Sequence, residues 1–386
     1  MAFVSVVATL VLGLFGASAP GWAAASSAIP APLACLGDKS AGVRLALDGI
    51  PQSRRDRLAR GVNMTDLFVE GSEPDLPGVF ARLRRSGVRH IRVPVSTLVF
   101  APVPPAWQAS VLRRLDSTVC AAVAADLGVI IDLHPFENLQ PEGGTTEEIG
   151  ARLKFVWRQL AARYAAASPD HVFFEMLNEP KLVDGAQWAA MQAALLQTIR
   201  SVAPANTVIA TASPWSTAAA LSALTPLADR NVAYAFHFYT PMIFTHQSAS
   251  WSNPSYETIR SLEFPSKVAN VAAVAMTTDP SLRSQLAWYG ANFRDASLMT
   301  SEIDLASAWS RSNGTVVVST EFGVFNNTAP HDARANWLGV VRAKLESAGM
   351  GWTVWEYKGG WGIDNDLLEG CGAPNSAATS LRLCRS

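Results

Sequence analysis

Short apolar, β-branched runs recur along the chain, each followed by a segment whose apolar residues repeat at helical spacing. Runs without polar alternation are buried on both faces, so the repeat predicts a parallel sheet wrapped by helices. Eight runs can be counted, at 61–64, 88–95, 129–134, 172–177, 207–212, 232–239, 315–320 and 352–355. Between them the helical faces are explicit. Leu76, Val79, Phe80 and Leu83 precede Gly87, and Trp107, Val111, Leu112, Leu115, Val119 and Val123 run to a stop at Gly128. Thr145 and Glu148, at capping-box spacing, open the face of Ile149, Leu153, Val156, Leu160 and Tyr164. Trp188, Met191, Leu195 and Ile199 mark another helix, as do Trp337, Val341 and Leu345. Eight such units predict an α/β fold of the TIM type, a closed (β/α)8 barrel in a single domain over 44–386, because an open doubly wound sheet usually holds fewer strands. The stretch 241–314 exceeds one crossover helix and predicts an insertion that builds part of a cleft wall, and residues 43–48 are expected to close the barrel's bottom.

Composition narrows the picture. With 49% hydrophobic and 16% charged residues the chain folds around a large core, and a formal charge of −1 without a basic stripe excludes nucleic acid as a partner. Residues 3–16 carry no charge and are followed by Ala23-Ala24-Ala25, so 1–25 reads as a secretory signal peptide and 26–43 as a small-residue linker. The apolar run is short for a membrane span, so a secreted, extracellular or periplasmic protein without stable membrane association is expected. Cys35, Cys120, Cys371 and Cys384 show no metal-ligand spacing. In an exported protein they form disulfides in one of three pairings, and Cys371 with Cys384 would pin the C-terminal tail.

Chemistry in such a barrel sits at the C-terminal ends of the strands. The polar residues that end the runs are Asn63, Arg92, His134, Asn178, Glu179, His237, Tyr239, Glu321 and Trp355. Two carboxylic acids among donors and one Trp is the equipment of glycosidic-bond cleavage, which needs a neutral carboxyl to protonate the leaving oxygen and an ionised one on the opposite side. Arg92 is expected to hold Glu321 as the carboxylate, and the resulting anion to keep Glu179 protonated. Trp215 and Trp361, just after the fifth and eighth runs, are candidate stacking faces for a sugar, with Trp251 and Trp288 of the insertion as further ones. Glu175 reads as an interior hydrogen-bonded carboxyl, and Asp66 and Glu137 as loop acids open to a sugar role.

Leu177-Asn178-Glu179-Pro180 and Thr320-Glu321-Phe322-Gly323 resemble the two signature strand ends of glycoside hydrolase family 5. Ile91-Arg92-Val93-Pro94, Asp132-Leu133-His134, His237-Phe238-Tyr239 and Trp355-Glu356-Tyr357 resemble its remaining landmarks in the same order, over residues 44–363. The resemblance implies that Glu179 is the acid/base and Glu321 the nucleophile of a retaining mechanism. It implies that Asn178 bonds the sugar 2-hydroxyl, His134 and His237 contact sugar or fix the carboxylates, Tyr239 donates to Glu321, and Trp355 stacks under the ring. Asn63, Arg92, Trp215 and Trp361 complete the expected substrate-binding set. The sequence departs from commoner cellulase patterns at Met64-Thr65-Asp66 and Pro135-Phe136-Glu137-Asn138.

The function expected is cleavage of a β-glucan, most simply as an endo-β-1,4-glucanase, by a monomer acting on a polysaccharide or oligosaccharide with no cofactor and no metal. A β-mannanase, a xyloglucanase and an exo-β-1,3-glucanase share the same barrel and stay open. A non-catalytic carbohydrate-binding barrel should have lost a carboxylate or Asn178, and a metal-dependent hydrolase should cluster His and Asp at the strand ends.

Overall fold

A computed structural model describes residue 35 and residues 48–68, 74–96, 99, 105–135, 145–181, 184–368 and 376–383. The leader at 1–25, most of the linker, Glu137, Cys371 and Cys384 lie outside these residues. Cys35 is bonded to Cys120, while the expected Cys371–Cys384 pairing lies outside the described residues. Among the described residues no helix is long and apolar enough to cross a membrane.

Eight parallel strands close into a barrel in sequence order. They are β1 (Arg60–Asn63), β2 (His90–Ser96), β3 (Gly128–His134), β4 (Val172–Glu175), β5 (Val208–Ala210), β6 (Val232–Phe238), β7 (Val316–Phe322) and β8 (Gly351–Val354). The helices named below are α1 (Gln52–Arg57), α2 (Leu76–Arg85), α3 (Pro105–Ala124), α4 (Thr146–Tyr164), α5 (Gly185–Arg200) and α6 (Ala218–Ser222). Thr145 and Glu148 make both hydrogen bonds of the capping box that opens α4, and Asp184 caps α5. Between β6 and β7 the chain forms α7 (Met242–Thr245), α8 (Val268–Thr277), α9 (Arg283–Asn292) and α10 (Ser297–Asn313). After β7 comes α11 (His331–Ser347).

The expected end of α3 at Gly128 is corrected. The helix stops at Ala124, and Asp126 takes the left-handed turn at φ 58°, held by Arg57 at 2.8 Å and Arg84 at 2.7 Å. Gly128 instead opens β3, where a Cβ would lie 2.6 Å from Arg57 Cγ. β4 and β5 are shorter than their apolar runs, ending at Glu175 and Ala210, whereas β3 and β7 are one residue longer than theirs.

Inward-facing residues alternate along each strand and form two chemically distinct layers. The floor is apolar: Ile130, Phe173, Ile209, Ala233, Ala235 and Val318 pack with Ile50 and Leu58. Ile50 and Leu58, which flank α1, thus close the described part of the barrel's bottom, while residues 43–47 of the stretch expected there lie outside the described residues. Above the floor lie Asn63, Arg92, Asp132, Glu175, His237, Thr320 and Glu321, all buried.

His90 lies fully buried with Nε2 2.8 Å from Thr353 Oγ1 and Nδ1 3.0 Å from the Arg57 carbonyl, in space left by Gly61. Burial lowers its pKa from 6.5 to about 4. The unfolded chain takes up this proton first, so the stabilisation is complete above about pH 6.5 and is lost as pH falls toward 4, by about 3 kcal/mol. Urea melts of His90→Gln are expected to show a shallower loss of stability between pH 7 and 4.5 than wild type. An equal slope would sink this account.

Candidate active site

Register in the barrel creates the site. Phe236 pairs with Ser319 and His237 with Glu321, so Thr320 is the extra residue of a bulge in β7. A bulge re-aims side chains, and here Thr320 and Glu321, consecutive in sequence, both reach the barrel interior. The Thr320 carbonyl in the bulge accepts from Asn63 Nδ2 at 3.1 Å.

Arg92 organises the charged layer. Its Nε and Nη2 donate to the two Glu175 oxygens at 2.8 and 2.9 Å, its Nη1 to Glu321 Oε1 and Asn63 Oδ1 at 2.9 Å each, and its Nη2 to Asn178 Oδ1 at 2.8 Å. Asp132 Oδ2 lies 3.0 Å from Nη2. A guanidinium has five N–H donors, and all are engaged with protein. Burial opposes its charge, but Asp132, Glu175 and Glu321 outweigh that and raise its pKa further. Arg92 and Asn63 were expected to bind substrate. Both are fully occluded, with Asn63 Nδ2 also 3.2 Å from the Val354 carbonyl, so they support the site from beneath and touch no sugar.

Glu321 presents a side chain 6% exposed whose Oε1 accepts from Arg92 and whose Oε2 accepts from the Tyr239 hydroxyl at 2.8 Å. Two donors on two oxygens match an ionised, acceptor-only carboxylate. Burial, then Glu321 and Glu179, push the Tyr239 phenol well up, so it remains a donor.

Glu179 follows β4 at φ 42°, a left-handed conformation that costs a non-glycine residue about 1 kcal/mol. Its neighbours hold it there: Asn178 N–H donates to the Leu133 carbonyl at 2.9 Å, and the Pro180 carbonyl accepts from Trp215 N–H at 3.2 Å. The side chain is 27% exposed, the more open of the two acids. Burial raises its pKa, opposed by His134, Arg92 and Lys181. The expectation that the Glu321 anion keeps Glu179 protonated is thus replaced by desolvation as the main cause.

His237 joins the two acids. Its Nδ1 is 2.8 Å from Glu179 Oε1 and 3.5 Å from Glu321 Oε2. His134 Nδ1 lies 2.7 Å from Asp132 Oδ2 while its Nε2 meets Asn178 Nδ2 at 3.3 Å, which orients the Asn178 amide. Both imidazoles are lowered to about 4 by burial and are neutral near pH 7. Burial pushes Asp132 up to about 7, with Arg92 opposing and Glu179 adding.

The aromatic residues separate into two kinds. Trp355 is half-buried with its ring stacked on His134, centroids 5.9 Å apart at 22°. Trp215 is 48% exposed, stands at φ 58°, and carries Lys181 Nζ 4.7 Å from its ring centroid. Trp361, expected as a stacking face, is only 8% exposed and is wedged edge-on against Tyr239 and His246 at 5.5 and 4.9 Å. It therefore braces the phenol that holds Glu321. Trp251 and Trp288 are both exposed, and pack edge-on against Phe325 and Phe293 respectively.

Three site residues carried no distinct role in the sequence reading. Asp132 was visible as the residue two before His134 on one strand face, but Thr320 needed the bulge to turn inward. Glu356 accepts from the Thr65 hydroxyl and, at 3.4 Å, from Trp361 N–H, and burial raises it to about 7. Asp66, also raised by burial, lies within its electrostatic reach.

Among the described residues, one atom each of Glu179, His237 and Glu321 falls within 4.8 Å of the others, a spacing that would admit a metal ion. Within this group His237 is hydrogen-bonded to Glu179, and Glu321 accepts from Tyr239.

A family model described as Cellulase (glycosyl hydrolase family 5) matches residues 59–360. The chain belongs to glycoside hydrolase family 5. This family 5 chain is 27% identical over 313 residues to Endoglucanase 3 of Fibrobacter succinogenes, covering 75% of itself and 47% of that protein. It thus spans about half the length of that relative. It is 26% identical over 239 residues to Endoglucanase C of Acetivibrio thermocellus, covering 60% of itself and 68% of the other. In fold it is similar to an endoglucanase from the hyperthermophilic Thermotoga maritima, with a TM-score of 0.65, 24% identity, and coverage of 85% of this chain and 97% of that one.

Proposed function

We propose that this chain is a secreted, retaining glycoside hydrolase that cuts a β-glucan internally at β-1,4 linkages. The observation that carries the mechanism is the approach of the two acids, whose oxygens lie within 4.8 Å of each other. Retaining enzymes hold their carboxyls roughly 5 to 5.5 Å apart, whereas inverting ones leave room for a water at about 6.5 Å or more. In the first step Glu321 bonds to the anomeric carbon as the glycosidic C–O bond breaks and Glu179 gives its proton to the departing oxygen. In the second, Glu179 takes a proton from water as that water displaces Glu321 from the same carbon. Trp355 offers the ring face for the sugar being transferred. Trp215, tied to Pro180 beside Glu179, offers a face to the departing portion.

The endoglucanase names of the two relatives support a glucan cut internally as substrate. Export is supported by the leader-like first 25 residues and by the Cys35–Cys120 bridge, which an oxidising compartment sustains.

Reducing-end release on carboxymethyl cellulose, mixed-linkage β-glucan, laminarin, mannan and xyloglucan tests the substrate, and preferential cleavage of mannan or laminarin would overturn the β-1,4-glucan assignment. Glu179→Ala tests the acid. It should lower kcat/KM on polymer by about 10³-fold yet spare most of it on a 2,4-dinitrophenyl glycoside, whose leaving group needs no proton. Equal losses on both would remove Glu179 from the acid role.

A further inference from the structure

His237 Nδ1 stands against two carboxyl groups, with Glu179 Oε1 at 2.8 Å and Glu321 Oε2 at 3.5 Å. A bare nitrogen lone pair facing both would be repelled, so Nδ1 should carry the hydrogen. A neutral imidazole has only one N–H, and the tautomer is set by what the other nitrogen meets. Nε2 meets the Thr320 hydroxyl at 3.2 Å.

That hydroxyl has two possible acceptors, Nε2 and Glu175 Oε1 at 3.3 Å. Glu175 is already held by Arg92 through both oxygens. If Thr320 donated to Glu175, Nε2 would have to carry the hydrogen and Nδ1 would turn a lone pair toward both catalytic acids. Donation to Nε2 satisfies every group at once. The β7 bulge places Thr320 where its hydroxyl can do this, since in a regular strand Thr320 and Glu321 would face opposite sides.

We propose that Thr320 is a positioning residue that locks His237 in the Nδ1–H tautomer, so that a neutral N–H always faces Glu179 Oε1 and the transferable proton resides on the other oxygen. The inference rests on the acid/base reading of Glu179. With Nδ1–H donating to Oε1, the carboxyl gives its proton from Oε2 to the leaving oxygen, and the carboxylate left behind keeps its donor. No proton moves on the imidazole. Without the lock, Glu179 after donation would face a lone pair and its acidity would fall.

The charged and titratable groups around the pair are Glu175, Glu321, Arg92 and His134 about His237, and Asp132, His134, Arg92, Lys181 and Tyr239 about Glu179. None supplies a second donor to Nε2 in the contacts described.

The test pairs Thr320→Val, which keeps shape and β-branching, with Thr320→Ser, which restores the hydroxyl. Thr320→Val is expected to lose about 10- to 100-fold in kcat/KM on polymer, and less than about 3-fold on a 2,4-dinitrophenyl glycoside. Its alkaline limb should move to higher pH, and Thr320→Ser should restore both. Nitrogen NMR of the wild-type imidazole should show His237 as Nδ1–H, with Nε2–H gaining population in Thr320→Val. Wild type found as Nε2–H would overturn the lock even if Thr320→Val does not fold, and so would a valine variant that loses equally on both substrates or matches wild type. If Glu179→Ala also fails to spare the activated glycoside, the acid assignment itself falls. If Glu179→Ala spares it and Thr320→Val does not, only the lock falls.

Discussion

Glu321→Ala is expected to abolish turnover, with kcat reduced at least about 10⁴-fold on polymer and on activated aryl glycosides alike. In the proposed mechanism every substrate bonds to this carboxylate before water can act, so a better leaving group offers no escape. That uniformity separates Glu321 from Glu179, whose loss should spare kcat/KM where the departing oxygen needs no proton. The fold should survive, because Arg92 keeps Glu175, Asn63 and Asn178 as partners and Tyr239 keeps its packing against Trp361. Thermal melts of the variant should lie close to wild type while steady-state rates collapse. A variant that keeps more than about 1% of wild-type activity would show that Glu321 is not the nucleophile.

The fold was legible because a parallel barrel buries its strands on both faces, and that produces eight separated apolar runs that no half-exposed sheet would show. Local signals survived intact where they are self-contained, as with the Thr145 and Glu148 box or Gly87 at the end of α2, where φ is 96°. The two acids were legible for a similar reason: a carboxyl that ends an apolar run stands out against its surroundings.

What escaped was depth. Asn63, Arg92 and Glu321 all end or punctuate such runs, yet the first two are sealed beneath the third. Strand periodicity gives the side of the sheet but not the layer, and the layer depends on barrel stagger. The bulge at Thr320 left no trace in the sequence, since one inserted residue in a seven-residue strand leaves the apolar pattern unchanged. Trp361 illustrates the same loss. A Trp in a strand-end loop reads as an open stacking face, and only tertiary packing against Tyr239 and His246 turns it into a brace.

Arg92→Met is expected to be the most damaging single change to stability, by about 3 to 5 kcal/mol. A methionine fills similar volume, so the cost is electrostatic: Glu175, Asp132 and Glu321 lose the cation that neutralises them in a water-free layer. Arg92→Lys should rescue little, because one ammonium cannot reproduce five directed N–H bonds to four residues. The pH dependence identifies the cause. Burial already raises the pKa of Glu175 and Asp132, and without Arg92 both rise further, so lowering pH from 8 to 5 neutralises them in the variant. The stability gap between wild type and Arg92→Met, read from urea melts, should therefore narrow as pH falls. A gap that stays constant over this range would mean that lost packing, not unpaired charge, destabilises the variant, and the charged layer would then be a passenger of the fold rather than the element that sets the geometry of Glu321 and Asn178.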